Sequence, residues 1–480
     1  MFCIISKFVR ENKGYTQKEL CDILETSEEK AVPIIRKLKE FGILKAVKKS
    51  KYQDEMFELA DEDIEIADVE VGENKYYYVF TFVGVIIVSG RVLKCYPKYL
   101  MNTNAPKEEM RQILKVLEKY NSKEQIVRIF NDSSDSSTFN LLAVLLFLLQ
   151  DYYENDVYRN TEDITENNGS GEIFWDQTIN ETFALISGNR TCYPNLITKK
   201  RINDDFDYFK RLHECILTKA SKELRDAELL ELFEITDVCL TDEELDEFGD
   251  TEYILYRIEN ELNTQFNTRK QMILKTIYAY IDHRGSLYDT DSLSLFGTNV
   301  FYDVWEKICA VIMDNNYKTP LGMLNLPVPL KPEYDSKQKL FEIIEKPLWT
   351  ATGKTAKKTL ELDFVSVSKD WFVILDAKYY NAKLENGVAP QGQPGIESIT
   401  KQYLYELTYR KFIKDHEFPC VRNCFIMPTE NKDIEDRGEV SMKMFSCLEL
   451  QNIKVRFIPA DMVYSHYLSG RKMDINLLRL

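Results

Sequence analysis

The chain has 480 residues, 44% of them hydrophobic and 29% charged, and its formal net charge at pH 7 is −16. This length exceeds one hydrophobic core, so we expect roughly two to four domains. The charge argues against a protein that binds nucleic acid indiscriminately, because such binding relies on Lys and Arg against phosphates. The longest apolar run, residues 141–149, is too short to span a membrane, and the ten cysteines are scattered. We therefore expect a cytoplasmic protein with free thiols and no membrane partner.

The first sixty residues follow the pattern of a small DNA-binding domain. We expect a helix at residues 2–11, a second helix that begins with a capping box at residues 16–19, and a third that ends at Gly42. Residues 43–45 and 56–59 have the composition of two strands that would form a wing. Three helices followed by a hairpin predict a winged helix-turn-helix domain.

Basic residues concentrate in this predicted domain although the whole chain is acidic. Segment 30–51 contains eight Lys or Arg residues, and Glu40 is its one acidic residue. Winged helices bind DNA, but they also serve as protein-docking modules, and both interpretations stay open here. If the domain binds DNA, the predicted contacts are Arg36, Lys37, Lys39, Lys48 and Lys49.

The middle of the chain mixes strand and helix patterns. Residues 75–100 alternate between apolar and polar positions and break at Ser89-Gly90, which predicts a hairpin or meander. Helical periodicity follows at residues 107–120 and 137–153, and acidic helices are expected within 206–246. The fold class is therefore α/β, as a mixed α+β multidomain chain. Its predicted domains are a winged helix at 1–62, a mixed α+β domain at 63–291 and a third domain at 292–480.

A predicted hairpin in the third domain carries two opposed carboxylates. Residues 360–380 read LELDFVSVSKDWFVILDAKYY, and a two-residue loop at Lys369-Asp370 places Asp363 directly opposite Asp376. Like charges at opposed positions destabilise an antiparallel pair, so the hairpin needs a compensating cation. Because Mg²⁺ is commonly held by one or two carboxylates, this register predicts a metal site.

A structural alternative for the same hairpin is a network of ion pairs. Lys378 lies on the same face as Asp376, and Glu361 would lie opposite Lys378, so the lysine could bridge Asp376 and Glu361 without any catalysis. Upstream, Gly353-Lys354-Thr355 matches only the end of a phosphate-binding loop, since Leu348 stands where the first glycine is required. The chain therefore has no complete nucleotide-binding loop.

Several strings in order resemble the LlaJI family of restriction endonucleases, whose members look like the McrC nuclease subunits of GTP-dependent restriction systems. The strings are GSGEIFWDQTIN at 169–180, VGVIIVSGRVLKCYPKYL at 83–100, FGTNVFYDVWEKIC at 296–309 and LDAKYY at 375–380. The resemblance runs from about residue 76 to the C-terminus. It implies a C-terminal nuclease domain of the PD-(D/E)XK type.

The resemblance also implies site residues. Asp363, Asp376 and the Ala377 carbonyl would hold Mg²⁺, for which Mn²⁺ can substitute, and Lys378 would act on the attacking water. Glu306 matches an acidic residue on the first helix of such domains, and Gln402 matches a glutamine on the helix after the hairpin. Two departures stand out: Leu362 replaces the proline of the motif, and Glu406 stands four residues after Gln402 in place of a tyrosine.

The function implied is that of a metal-dependent endonuclease that cuts double-stranded DNA in a restriction system for phage defence. The partner implied is an AAA+ GTPase similar to McrB, which we expect to dock on the domain at 63–291, chiefly on the hairpin at 76–99. Two alternatives are a transcription regulator without enzymatic activity and a scaffold that only stimulates a partner GTPase. In the regulator, the acidic hairpin would be only a network of ion pairs.

Overall fold

The computed structural model describes residues 5–48, 76–121, 140–159, 161–188, 190–203, 207–283, 286–287, 293–385 and 387–480. The fold is mixed α/β, with several sheets and helices. It forms two compact units, one from residues 1–128 with 295–480 and one from residues 129–294. The predicted division at residues 62 and 291 differs from this grouping, because strands from residue 76 onward pair with the N-terminal segment.

The elements are numbered in chain order. The helices are α1 Gln17–Ile23, α2 Glu28–Glu40, α3 Lys107–Asn121, α4 Leu141–Asn155, α5 Trp175–Glu181, α6 Tyr208–Asp226, α7 Thr251–Thr264, α8 Thr268–His283, α9 Phe301–Ile312, α10 Ile396–Asp415 and α11 Ala460–Ser469. The first eleven strands are β1 Ile5–Arg10, β2 Gly14–Tyr15, β3 Leu44–Lys48, β4 Tyr76–Phe80, β5 Val83–Val88, β6 Arg91–Tyr96, β7 Thr161–Asn167, β8 Glu172–Ile173, β9 Leu185–Ser187, β10 Arg190–Cys192 and β11 Ile197–Asn203. The others are β12 Leu293–Thr298, β13 Leu348–Trp349, β14 Lys354–Thr355, β15 Phe364–Val367, β16 Phe372–Ala377, β17 Val421–Thr429, β18 Glu435–Val440 and β19 Ile453–Pro459.

Two of the three predicted N-terminal helices are present. The predicted capping box is confirmed, since the Thr16 hydroxyl accepts from the Glu19 N–H at 3.2 Å while the Glu19 carboxylate accepts from the Thr16 N–H at 2.7 Å. Helix α2 ends as predicted before Gly42, whose φ of +66° suits a glycine C-cap. The predicted second wing strand lies outside the described residues, and β3 pairs with β4 in a sheet ordered β2-β4-β3.

The helix predicted at residues 2–11 is wrong. Described residues of this segment form strand β1, which runs parallel to β6. Apolar side chains recur at Ile5, Phe8 and Val9, a spacing that matches a short helix as well as a strand, so periodicity alone could not decide. The partner strand lies 86 residues later in the sequence, since Ile5 pairs with Arg91, and tertiary pairing with it overrides the local preference.

Two backbones approach closely where the edge strand β12 meets β5 in the first large sheet, whose order is β1-β6-β5-β12. Gly84 in β5 and Gly297 in β12 have φ values of +142° and +154°. A Cβ atom on Gly84 would lie 2.1 Å from the Phe296 carbonyl oxygen, and one on Gly297 would lie 2.2 Å from the Val83 carbonyl oxygen. Only glycine fits at either position.

The second large sheet carries the acidic hairpin. Its order is β15-β16-β17-β19-β18, with β16, β17 and β19 parallel and the two outer strands antiparallel to their neighbours. Helix α10 covers one face, where Tyr409 and Phe412 pack against Phe372 in the core. Helix α9 also contacts β16, and α11 contacts α9, α3 and β19. These contacts hold the hairpin between helices within one unit.

The unit formed by residues 129–294 has its own core. Helix α4, predicted from the run at 141–149, is buried as expected and contacts α6 and α8. Strand β11 lies between β7 and β8, and β9 pairs with β10 in a separate hairpin. Tyr158 donates to the Glu261 carboxylate at 2.8 Å, and Arg269 pairs with Asp151 at 2.6 Å.

Membrane-spanning helices and disulfides are the two features that bear on the environment of the chain. Within the ranges given above, no helix combines the length and the apolar character that crossing a bilayer requires. Every cysteine at a described position is free, as expected from the scattered pattern.

The crossing of Gly84 and Gly297 predicts a sharp sensitivity to a single methyl group. We expect Gly84→Ala or Gly297→Ala to lower the free energy of unfolding by about 2–5 kcal/mol, because a backbone oxygen blocks the Cβ and the φ is positive. Urea unfolding followed by circular dichroism measures the change. Gly395→Ala is the matched control, since nothing lies within 4 Å of its Cβ position. Equal stability of Gly84→Ala and Gly395→Ala would contradict the close approach.

Candidate active site

The predicted register of the acidic hairpin is confirmed. Strands β15 and β16 pair Phe364 with Leu375 and Val367 with Phe372. Ser368 and Trp371 close the two-residue loop through N–H to carbonyl contacts of 3.0 and 3.4 Å. One more step along the same register brings Asp363 opposite Asp376.

The two carboxyl groups interact directly. Asp376 is 5% exposed, and the Asp363 side chain is hydrogen-bonded to it. The Ala377 N–H also donates to the Asp363 carboxylate at 3.1 Å. Burial, followed by the Asp376 carboxyl and the Glu306 charge, raises the pKa of Asp363 to about 9. In the absence of a cation, one proton is therefore retained by the pair at neutral pH.

Lys378 supplies a positive charge at this site. Its ammonium lies 3.0 Å from the Asp376 carboxylate, and its side chain is 21% exposed. Burial alone would lower the pKa of Lys378, but the charges of Asp376 and Asp363 outweigh it, and the pKa lies above its ordinary value. Glu361, the second partner in the ion-pair alternative, is exposed. Lys378 thus interacts chiefly with the opposed carboxylates.

Helix α9 places a third acidic side chain, Glu306, near the opposed carboxylates. Glu306 is partly buried, and its charge acts on both Asp363 and Lys378. One turn later Cys309 is fully buried, and burial together with the charges of Asp363 and Glu306 raises its thiol pKa. The acidic residue that the resemblance assigned to the helix is therefore close enough to influence the hairpin carboxylates.

Two asparagines that the sequence analysis missed hold the outer strand of the hairpin. The Asn315 amide donates to the Asp363 carbonyl at 3.1 Å and accepts from the Val365 N–H at 3.2 Å. Asn316 binds the same edge through its backbone to Val365 and through its side chain to the Val367 N–H at 2.8 Å. These contacts replace a neighbouring strand, so the backbone around Asp363 is fixed on its open side. The signal available was the pair Asn315-Asn316, which begins three residues after the end of α9.

Helix α10 presents different residues from those that the motif comparison singled out. Tyr405 donates to the Glu361 carbonyl at 2.8 Å, and burial and then the charges of Asp376 and Asp363 raise its pKa. Glu406 instead accepts from the Gln451 N–H at 3.0 Å, away from the opposed pair. Tyr405 is thus the helical tyrosine that interacts with the carboxylates.

Gln402 lies one turn before Tyr405 on the same helix. It is fully buried, and neither its amide oxygen nor its amide nitrogen has a hydrogen-bond partner. A buried amide without partners costs free energy, so a position of this kind is a candidate for contact with a ligand. Both of its polar atoms are shielded from solvent, so contact with DNA would require the side chain or its surroundings to move.

A buried contact also joins the hairpin to the N-terminal strand. Tyr379, next to Lys378, donates to the Glu11 carboxylate at 2.5 Å, and the Lys98 N–H donates to the same oxygen at 3.1 Å. The Lys98 ammonium lies over the Tyr379 ring, 4.5 Å from its centroid. Burial raises the pKa of Glu11, although Lys98 opposes this effect. Nothing in the local sequence pattern predicts that Glu11 reaches Tyr379.

The predicted DNA contacts lie on the N-terminal helix and strand. Arg36 on α2 and Lys48 at the end of β3 are exposed, whereas Lys37 and Lys39 are partly buried. Lys49 lies outside the described residues. Arg36 is therefore the most accessible predicted contact on α2.

The predicted docking surface at residues 76–99 is wrong. Strand β5 is entirely buried, β6 is buried except at Arg91, and Tyr99 is 5% exposed. Both strands form the centre of the first large sheet. Strands that are covered on both faces are rich in apolar residues, and this composition is the same as that of an exposed interface, so composition alone could not distinguish the two.

The donor set fits a hard divalent cation. No group of three His, Cys, Asp or Glu side chains close enough to hold a metal ion occurs among the residues that the structure describes. The available donors are the Asp363 and Asp376 carboxylates with the adjoining Ala377 carbonyl, all oxygens, which suits Mg²⁺ or Mn²⁺ more than zinc. The raised pKa of Asp363 means that a bound cation would displace a proton from this carboxyl group.

Comparison with known proteins identifies relatives over most of the chain. A curated protein from Bacillus subtilis strain 168, the type II restriction enzyme BsuMI component YdjA, is 27% identical over 410 residues, covering 82% of this chain and 81% of that protein. Among solved structures, a half-complex of Thermococcus gammatolerans McrB AAA+ hexamers with bound McrC is 11% identical, with a TM-score of 0.38 over 97% of this chain and 99% of that one. A structure of the McrBC complex from the same organism gives 12% identity and a TM-score of 0.26, over 63% and 85% of the two chains. Likeness at these scores carries no argument by itself. The sequence profile of the LlaJI restriction endonuclease, however, matches residues 82–329 and 330–467, and the chain therefore belongs to the LlaJI restriction endonuclease family.

Proposed function

We propose that this chain is the Mg²⁺-dependent nuclease subunit of a restriction system and hydrolyses phosphodiester bonds in double-stranded DNA. The observation that carries the proposal is the opposition of Asp363 and Asp376 in a buried hairpin, with the Lys378 ammonium 3.0 Å from Asp376. Two opposed acids that repel each other, one of them only 5% exposed, are costly in a purely structural element. Membership of a restriction endonuclease family gives this arrangement a chemical purpose.

Each residue has a distinct part in the proposed reaction. Asp363, Asp376 and the Ala377 carbonyl would hold Mg²⁺, which supplies charge neutralisation at the phosphate and acidifies a water molecule. Lys378, held by Asp376, would orient that water and stabilise its negative charge. Glu306 would add negative charge on the α9 side of the same cation. Gln402, with two unsatisfied amide atoms, would contact the DNA backbone or Lys378.

The arrangement of elements supports a PD-(D/E)XK domain built around β15, β16, β17 and β19. In this proposal the first acid precedes β15, the second acid and lysine lie at the end of β16, and α9 and α10 contact β16. A winged helix at the N-terminus is supported by α1, α2 and the sheet of β2, β4 and β3. Its contribution would be DNA binding through Arg36 and the neighbouring lysines.

A partner that hydrolyses GTP completes the proposal. The chain has no complete phosphate-binding loop, and its relative from Bacillus subtilis is described as a component of a restriction enzyme. We infer that an AAA+ GTPase delivers DNA to this subunit. Within the predicted docking domain, the segment from 174 to 186 exposes large apolar side chains, among them Trp175 at 52%, Phe183 at 72% and Ile186 at 76%. Exposed apolar and aromatic groups of this kind are typical of protein interfaces.

Stability with and without metal tests the assignment of the cation to the opposed carboxylates. The raised pKa of Asp363 means that the folded chain keeps a proton that the unfolded chain releases, so stability without metal falls as pH rises from about 4 to about 9. Asp363→Asn should flatten this dependence. At pH 8, Mg²⁺ or Mn²⁺ should raise the melting temperature of the wild type by a few degrees and leave Asp363→Asn unchanged. Differential scanning calorimetry measures both effects.

Asp370→Asn is the matched control for this measurement, because Asp370 is exposed at the tip of the same hairpin. It should respond to metal like the wild type. Equal metal-induced shifts in the wild type and Asp363→Asn would refute assignment of the cation to this pair.

DNA cleavage tests the roles of Asp376 and Lys378. With the cognate GTPase, GTP and Mg²⁺, Asp376→Asn and Lys378→Met should each reduce cleavage of plasmid DNA by ~100-fold or more, because they remove a cation ligand and a charge beside the attacked phosphate. Asp370→Asn should cleave normally. Without the GTPase we expect weak cleavage or none, so efficient site-specific cleavage by this chain alone would overturn the partner requirement.

The salt dependence of DNA binding tests the N-terminal basic residues. Replacing Arg36, Lys37 and Lys39 together with alanine should weaken DNA binding and lower the slope of log affinity against log salt by about one for each phosphate that the variant no longer neutralises. Fluorescence anisotropy at several salt concentrations gives the slope. Unchanged DNA binding combined with weaker binding of the GTPase would assign this helix to protein docking.

A further inference from the structure

A short hairpin lies immediately upstream of the candidate active site and outside the two large sheets. Strands β13 and β14 form a two-stranded sheet of their own, in which Leu348 pairs with Thr355 and Trp349 with Lys354. The turn closes at Gly353, whose φ is +64°, with its N–H donating to the Trp349 carbonyl at 2.9 Å. We call residues 345–359 the entry hairpin.

The entry hairpin exposes two large apolar side chains on opposite faces. Leu348 is 62% exposed and Trp349 is 66% exposed. Consecutive strand residues point to opposite sides, so neither face of the hairpin is covered by the chain's own core. A two-stranded hairpin has marginal stability unless it packs against something, which indicates that a ligand covers it.

The charge of the entry hairpin identifies the ligand. Residues 345–359 contain four lysines and one acidic residue, Glu345, in a chain whose net charge is −16. All four side chains, at positions 346, 354, 357 and 358, are exposed. Cross-strand pairing puts the Lys354 side chain beside Trp349 on the same face. A cation beside an exposed aromatic ring is the combination that nucleic-acid-binding proteins use for phosphates and bases.

The position of the entry hairpin connects it to the carboxylates. Its base is closed where the Thr359 hydroxyl donates to the Glu345 carbonyl at 2.6 Å and the Ala356 N–H donates to the Pro347 carbonyl at 2.8 Å. Asp363 comes four residues after Thr359, a path of at most about 14 Å. Along duplex DNA this corresponds to about four base pairs.

We propose that the entry hairpin contacts the DNA beside the scissile phosphate, with Lys354, Lys357 and Lys358 on backbone phosphates and Trp349 against a sugar or an unstacked base. The inference rests on the proposed nuclease function and names a DNA-binding element of that site. It does not require any part of the N-terminal basic helix.

The test uses the full chain and a short fluorescent DNA duplex at low salt, with Ca²⁺ in place of Mg²⁺. Lys354→Ala/Lys357→Ala should lower the slope of log affinity against log salt by about 1.8, because each phosphate contact contributes about 0.9. The matched control Lys222→Ala/Lys275→Ala removes two exposed lysines from the unit at 129–294 and should leave the slope unchanged. Trp349→Ala should weaken binding roughly tenfold, and Trp349→Phe should keep most of the affinity.

The outcomes separate the hairpin from the nuclease assignment. Equal slopes for the two double variants, undetectable binding by the wild type, or a loss confined to binding of the GTPase would each overturn the proposal. Lys354→Ala/Lys357→Ala should lower the slope in an Asp376→Asn background as it does in the wild type, and Asp376→Asn should fail to cleave the duplex in Mg²⁺ with the GTPase and GTP. If Asp376→Asn cleaves normally while the hairpin variants lose DNA binding, the nuclease assignment fails and the DNA-binding surface stands.

Discussion

The repulsion between Asp363 and Asp376 is the constraint around which the candidate active site is built. The hairpin register places these two carboxyl groups at directly opposed positions. The Lys378 ammonium pairs with Asp376, and the Ala377 N–H donates to Asp363. The pKa of Asp363 is raised, so this carboxyl group stays protonated at neutral pH. Each of these partners offsets part of the repulsion. A divalent cation held by both carboxylates would offset it more completely.

The same site depends on parts of the chain that are far away in sequence. The backbone around Asp363 is held by Asn315 on the loop after α9, and the residue after Lys378 is anchored to Glu11 at the end of β1. Outer contacts of this kind orient the groups that touch a ligand. The carboxylate site is therefore a property of the whole unit that contains both chain ends, and the N-terminal strand is part of its support.

Local rules explain which features could be predicted from the sequence. The hairpin register followed from a two-residue loop and strict alternation, and the capping box at Thr16 followed from four adjacent residues. The secondary structure of residues 5–10 could not be predicted because the strand that pairs with β1 is remote in sequence. The burial of the strands within 76–99 could not be predicted because composition does not reveal what covers a strand. The motif spacing around Gln402 likewise did not reveal that Tyr405 would interact with the carboxylates, since this depends on how α10 is rotated about its axis.

In the proposed function, the distribution of charge would favour particular orientations of DNA on the protein surface. Segments 30–51 and 346–358 each carry a clear excess of positive side chains, whereas the chain as a whole has a net charge of −16. Acidic surface repels a polyanion, and local basic patches attract it, so the field of the whole protein favours a few orientations over many weak ones. Weak general attraction also keeps a nuclease off DNA that has not been presented to it. The acidic composition, which at first argues against a DNA enzyme, is thus consistent with one whose access to DNA is controlled.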